Sequence, residues 1–170
     1  MSAYGGYILA FITGTVIIKR KKMNALSILD ASSPSMALGY CFGRFGCHVG
    51  GDGCYGIETM SFWGTPFPNG IIPSSIPVYP TPLFEVFISF IAVGTLLKMR
   101  KLELKEGQLF FTFLIFSGLP RFLVEFIRRN PEFIFGLSQA QIISLLFVLT
   151  GIIGLIYSGR IEDVCLSVKE

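Results

Sequence analysis

The chain has 170 residues, of which 52% are hydrophobic and 15% charged, with a mean hydropathy of +0.65 and a formal net charge of +3. So apolar a chain is not an ordinary soluble domain, and seventeen phenylalanines against one tryptophan suit helices that face lipid. The small, clumped positive charge argues against nucleic acid as a partner, and cysteines at 41, 47, 54 and 165 with no Cys-x-x-Cys pair argue against a disulfide framework.

The expected fold class is an all-α integral membrane protein with about five transmembrane helices, forming one transmembrane domain over residues 1–170. The first apolar run, residues 4–18, is followed by Lys19-Arg20-Lys21-Lys22 and has no positive charge before it. That polarity is the reverse of a secretory signal, so a retained helix is expected. The second run covers 26–49 and is interrupted at Ser33-Pro34, where Ser33 is placed to cap a helix with Pro34 at its first position. Residues 50–81 read as a glycine- and proline-rich loop with a turn at Phe67-Pro68-Asn69-Gly70 between short extended pieces, too long to be a mere connector. Three further helices are expected over 82–97, 107–127 and 139–157.

Orientation follows from the basic residues. With the N-terminus outside, the inner segments hold Lys19, Arg20, Lys21, Lys22, Lys98, Arg100, Lys101, Lys105, Arg160 and Lys169, against Arg128 and Arg129 outside. The positive-inside rule therefore puts the N-terminus outside, the C-terminus in the cytoplasm, and the 50–81 loop on the outer face.

Arg44 lies within the second apolar run, and an arginine there faces the protein interior or a watery cavity. Gly39, Gly43, Gly46 and Gly50 fall within about 40° of one another on a helix. That smooth face admits either a neighbouring helix or a lipid headgroup. Arg121, Glu125 and Arg128 are spaced i, i+4, i+7 and share one stripe between apolar faces, which indicates an internal polar cluster. Arg121 and Glu125 either neutralise one another or leave Arg44 and Arg128 to hold an anion, and arginine forks suit phosphate. Asp52, in Gly50-Gly-Asp-Gly53, reads as a general base, a hydrogen-bond acceptor for a headgroup or a turn residue. Glu85 either contacts arginines or favours the start of its helix, and Tyr79 fits an aromatic belt. His48, the single histidine, is a hydrogen-bonding or proton-carrying candidate. Cys47, His48, Asp52 and Cys54 match no standard zinc spacing, so no metal is expected.

These segments together resemble the prolipoprotein diacylglyceryl transferases. Met1-Ser-Ala-Tyr-Gly-Gly6 is similar to M-S-F-H-G-G, and Gly43-Arg-Phe-Gly46 through Gly56 is similar to the G-R-x-G-N signature that ends in an acidic residue, an aromatic and a glycine. Tyr79-Pro-Thr-Pro-Leu-Phe-Glu85 resembles H-P-S-Q-L-Y-E, Arg121-Phe-Leu-Val-Glu125-Phe-Ile-Arg128 resembles R-F-x-x-E-x-x-R, and Leu137-Ser-Gln-Ala-Gln141 resembles L-T-x-G-Q. Tyr4 stands where the family has histidine, Cys47 where it has asparagine, and Ser117 where it has a tyrosine. By the resemblance, the chain begins where the family has already crossed the membrane twice, so a helix pair and its tyrosine are missing from it.

By that resemblance the activity is transfer of a diacylglyceryl group from phosphatidylglycerol to the lipobox cysteine thiol of a prolipoprotein signal peptide, releasing glycerol phosphate in the bacterial inner membrane. The implied catalytic residues are Arg44, Asp52, Arg121 and Glu125. Those implied for substrate binding are Arg128, His48, Tyr4, Gly5, Gly6, Cys47, Gly56, Tyr79 and Glu85, and no cofactor is implied. A lipid- or lipoprotein-binding relative without turnover, and a small anion transporter, are the other function classes open to such a chain.

Overall fold

The computed structural model describes residues 4–102, 104–128 and 137–167. Five helices carry it: α1 (Tyr4–Arg20), α2 (Ala25–Gly50), α3 (Thr81–Met99), α4 (Gln108–Glu125) and α5 (Gln139–Ser167). Three of them, α3, α4 and α5 over Gln139–Ser158, are long and apolar enough to cross a membrane. The 50–81 loop is not wholly irregular. It contains a two-stranded antiparallel hairpin, β1 (Thr65–Phe67) and β2 (Ser74–Val78), on either side of the expected turn. The fold is mostly helical, as expected, and the hairpin realises the short extended pieces read in the loop.

The helix ends have local causes. Asn24 caps α2 by accepting the Leu26 amide at 3.0 Å, so the helix starts at Ala25 and not at Pro34. The expected break at Ser33-Pro34 is absent, and Pro34 sits buried within a continuous helix. A proline removes one donor from the ladder, and nearby hydroxyls relieve the freed carbonyls. Here Ser32 and Ser33 both donate to the Leu29 carbonyl, at 3.0 and 2.7 Å. Gly51 ends α2 in the left-handed region at φ 57°, with its amide on His48 O and the Asp52 amide on Cys47 O. The start of α4 is capped from another helix, since Asp30 of α2 accepts the amides of Gly107 (2.5 Å) and Phe110 (2.7 Å). A carboxylate at that point also opposes the positive end of the α4 dipole. α5 runs past the expected end at 157 to Ser167, and opens on a reciprocal pair: Gln141 N donates to Ser138 Oγ and Ser138 N to Gln141 Oε1.

Packing is tightest between α4 and α5. A Cβ at Gly118 would lie 2.6 Å from Ser144 O, and one at Gly151 would lie 2.7 Å from Phe111 O, so glycine sets how closely these two helices approach. α2 packs on α3, and the buried apolar cluster of Ala37, Leu96, Leu109, Phe113 and Leu114 joins α2, α3 and α4. Toward the other ends of these helices, the C-terminus of α2, the N-terminus of α3, the C-terminus of α4 and the N-terminus of α5 are tied together. Gly56 and Arg128 form an isolated antiparallel bridge, Ile57 N donates to Ile127 O at 2.9 Å, and Gly56 N donates to Tyr79 O at 2.9 Å. Met60, Phe62 and Trp63 project from the loop at this end with relative exposures of 97, 93 and 61%.

Candidate active site

Glu85, one turn into α3, is the hub. Its side chain is 2% exposed and its carboxylate accepts Arg121 Nη1 at 3.0 Å, accepts the Tyr40 hydroxyl at 2.8 Å and is in contact with Arg44 Nε. Helices α2, α3 and α4 therefore each contribute a charged group to one point. Of the two readings of Glu85, arginine contact is the one the fold realises. Arg44 Nε also donates to Tyr40 Oη at 3.1 Å, and its guanidinium carbon sits 5.3 Å from the centre of the Tyr40 ring, one helical turn away. Tyr40 carries no charge and lies in an apolar run, which hid it from the sequence reading. Its i, i+4 spacing to Arg44 was the available signal.

Glu125 forms a second centre beside the first. Arg121 Nη2 lies 3.9 Å and Arg128 Nη1 3.7 Å from its Oε2, and Ser138 Oγ donates to its Oε1 at 2.8 Å. Arg121 thus lies between two carboxylates, closer to Glu85 at 3.0 Å than to Glu125 at 3.9 Å. Helix α4 ends at Glu125, and Arg128 reaches the cluster from the turn beyond it, where its backbone pairs with Gly56. A Cβ on Gly56 would meet Ile127 O at 3.0 Å, so this glycine serves the approach of the two chain segments that positions Arg128. Ser138 fastens Glu125 and is itself held by Gln141 in the cap of α5; neither stands out as a site residue in the sequence.

Arg44, Arg121, Glu125 and Tyr40 open on a cavity of about 1170 Å³ between α2, α4 and α5. Gly39 and Gly43 line it too, and a Cβ at either would meet no described atom within 4 Å. The glycine face predicted for α2 is therefore a cavity wall there, while the glycines that seal a helix seam belong to α4 and α5. Phe110, Phe113, Leu114, Ile143 and Phe147 give the cavity an apolar side opposite the guanidinium groups. An anionic group with a hydrocarbon tail suits both sides at once. Three guanidiniums against two carboxylates leave a positive balance among the described residues, and buried charge in a restricted cavity is screened less than at the surface.

Asp52 is not among the ion-pair partners of the Glu85 hub, although the charge of Arg44 reaches it. Its carboxylate accepts the Cys54 amide at 3.0 Å, and Cys47, Asp52 and Cys54 group together at the end of α2. Burial alone would raise the Asp52 carboxyl. Hydrogen bonds from the Cys47 and Cys54 thiols and the Cys54 amide, with the charge of Arg44, hold it below the usual carboxylate range instead. His48 is not in that group: its ring packs edge-on against Phe67 at 5.3 Å, and its Nδ1 has no hydrogen bond among the described residues. Tyr79 contributes its backbone, donating to Ile57 O and accepting from Gly56 N. Tyr4, Gly5 and Gly6 form the first turn of α1, and their side chains lie outside the described residues, as do those of Arg160 and Cys165 and the whole of Arg129 and Lys169.

The sequence profile of the prolipoprotein diacylglyceryl transferases matches residues 1–157. The chain belongs to that family. It is 34% identical to a phosphatidylglycerol-prolipoprotein diacylglyceryl transferase of Leptospira interrogans over 181 aligned residues, covering 87% of this chain and 56% of the relative. A relative of the same name from Clostridium novyi is 32% identical, with 94% of this chain and 63% of the relative covered. A "transferase 2" of Clostridium perfringens is 37% identical, with 79% and 53% covered. This chain spans a little over half the length of these relatives.

Proposed function

We propose that this chain takes part in diacylglyceryl transfer from phosphatidylglycerol to the lipobox cysteine of a prolipoprotein. The observation that carries the reading is the Arg44–Glu85–Arg121 hub on the wall of a large, half-apolar cavity. The lipid's phosphate sits between the guanidiniums of Arg44 and Arg121, with Arg128 adding positive charge from beyond Glu125, and its acyl chains lie along the apolar wall. Glu85 and Glu125 hold the arginines in fixed directions, so little reorganisation is needed when charge builds on the departing phosphate. The thiol sulfur attacks the glyceryl carbon that bears the phosphate ester, a C–S bond forms, and the C–O bond breaks with its electron pair leaving on glycerol phosphate. Asp52 accepts a hydrogen bond from the entering thiol, whose proton passes through it to solvent. Gly39 and Gly43 leave room for the headgroup, and Gly56 and Tyr79 keep the loop in register.

In this reading residues 1–170 are one transmembrane domain in the bacterial inner membrane, with the N-terminus outside and the C-terminus cytoplasmic. Support comes from the ten basic residues assigned inside against two outside, and from loop aromatics suited to an interface. Purified chain in phosphatidylglycerol micelles with a lipobox peptide tests the activity by the glycerol phosphate it releases.

A further inference from the structure

Six residues lie between Cys47 and Cys54, yet Cys47 Sγ, a carboxylate oxygen of Asp52 and Cys54 Sγ all lie within 4.8 Å of one another. Two backbone reversals bring them there. Gly51 at φ 57° and Gly53 at φ 84° turn the chain back over the last turn of α2, so that Asp52 and Cys54 return to Cys47. The hairpin then fixes this turn from outside. Ile71 N and Ile72 N donate to the carbonyls of Gly50 and Gly51 at 3.1 and 2.9 Å, and Thr81 Oγ1 donates to Cys54 O at 2.6 Å. All three side chains are half-buried. The arrangement is a built one, held by two backbone amides of the hairpin and by the Thr81 hydroxyl at the start of α3.

Two sulfurs and one carboxylate form a donor set that selects soft or borderline divalent metals over magnesium or calcium. Three protein ligands with one position left for a substrate is the arrangement of catalytic zinc, whereas structural zinc is closed by four. His48, the nearest conventional fourth ligand in sequence, has its ring against Phe67 and stands outside the group. Cys47 also lies on the wall of the cavity that carries Arg44 and Arg121. Because Cys47 occupies the place of the family's signature asparagine, the cysteine pair is a property of this chain and not of the resemblance.

We propose that Cys47, Asp52 and Cys54 bind one Zn2+ ion whose fourth ligand is the thiol of the acceptor peptide. The choice of that fourth ligand rests on the transferase reading; the three protein ligands do not. A thiol that coordinates zinc is deprotonated, with its proton passing to solvent. Its sulfur then forms the bond to the glyceryl carbon as the carbon–oxygen bond breaks, and glycerol phosphate departs with the electron pair. The thioether product is neutral and a weaker ligand than a thiolate, so it leaves and the position reopens. Asp52 then acts as a ligand, and the positioned thiolate shares a cavity with the arginines that hold the phosphate.

The test uses the full-length chain, reduced with a phosphine, in phosphatidylglycerol micelles and titrated with Co2+ as a spectroscopic stand-in for zinc. The expected result is saturation at about one equivalent, with thiolate-to-cobalt charge-transfer absorption that Zn2+ displaces. Cys41→Ser should keep these bands, Cys47→Ser and Cys54→Ser should lose them, and Asp52→Asn should weaken binding about tenfold or more. A lipobox peptide should shift the cobalt bands and its serine analogue should not. Cobalt binding equal in wild type and the Cys47→Ser/Cys54→Ser double variant, or no thiolate band at all, overturns the site. A charge-transfer band that the peptide leaves unchanged overturns the thiol as fourth ligand. A peptide-dependent shift without glycerol phosphate release leaves the metal site standing and counts against the transferase reading alone.

Discussion

Replacing Glu85 by glutamine distinguishes a charge hub from a helix cap. Glutamine keeps the shape and one acceptor oxygen, but removes the charge and turns a donor toward two guanidiniums and the Tyr40 hydroxyl. Removing one partner from a buried ion pair costs about 3–5 kcal/mol. Arg44 and Arg121 keep 13 and 24% side-chain exposure, so solvent recovers part of that and a loss of about 2 kcal/mol is expected. The local charge rises by one unit at the same time. Phosphatidylglycerol should therefore bind Glu85→Gln at least as tightly as wild type, while transfer falls about 100-fold, because an arginine displaced by about 1 Å no longer meets the departing phosphate. Thermal unfolding in detergent, equilibrium lipid binding and glycerol phosphate release give the three readouts. Lipid affinity and transfer falling together, with the fold intact, would mean that Glu85 itself holds substrate. No change in any of the three would reduce it to a cap on α3.

Three other outcomes follow from separate parts of the structure. Gly118→Ala drives a methyl against Ser144 O and should cost about 1–3 kcal/mol, whereas Gly39→Ala, which faces open cavity, should leave thermal stability within about 0.5 kcal/mol of wild type. Equal effects at the two sites would contradict the assignment of seam and cavity wall. The lowered Asp52 carboxyl stabilises the fold above the unfolded value near 3.8 and ceases to do so as pH falls through its folded value. In chelator-treated protein, wild type should exceed Asp52→Asn by about 0.5 kcal/mol near neutrality, a modest figure because the group is only half-buried, and the gap should close in acid as the folded carboxyl protonates. Urea titrations at both pH values measure it, and a gap that widens in acid would reverse the sign of the argument. Ser61→Cys, exposed in the loop and placed in a chain whose own cysteines are serine, should react with a membrane-impermeant thiol reagent in intact spheroplasts. Labelling only after the membrane is opened would invert the orientation.

The helices were legible because each is a long apolar run, and their limits differ from the expected ones mostly by one or two residues. Pro34 misled because its cost is local and is relieved by hydroxyls of Ser32 and Ser33, a compensation that periodicity does not register. The arginines and Glu125 announced themselves as charges in apolar runs, and Arg121, Glu125 and Arg128 do cluster. Glu85 was legible only as one possible arginine contact: it lies 36 residues from Arg121, and the packing of α3 against α2 and α4 selects its partners. For Asp52 the sequence leaves a base, a headgroup acceptor and a turn residue open. Its position depends on two left-handed glycines, which send it to the cysteines. The cysteines were discounted as ligands because their spacing fits no familiar pattern, and spacing along a chain loses its meaning where a turn doubles back.

The central claim is that the arginine hub holds the phosphate of a lipid undergoing transfer, and glycerol phosphate release measures it most directly. Wild type in phosphatidylglycerol micelles with a lipobox peptide should release glycerol phosphate and yield a diacylglyceryl peptide in equal amounts. Arg121→Ala should abolish both, and Arg121→Lys should recover only part, because an ammonium lacks the guanidinium fork. Release by wild type no greater than by a folded Arg121→Ala variant, with phosphatidylglycerol still bound by both, would contradict the account.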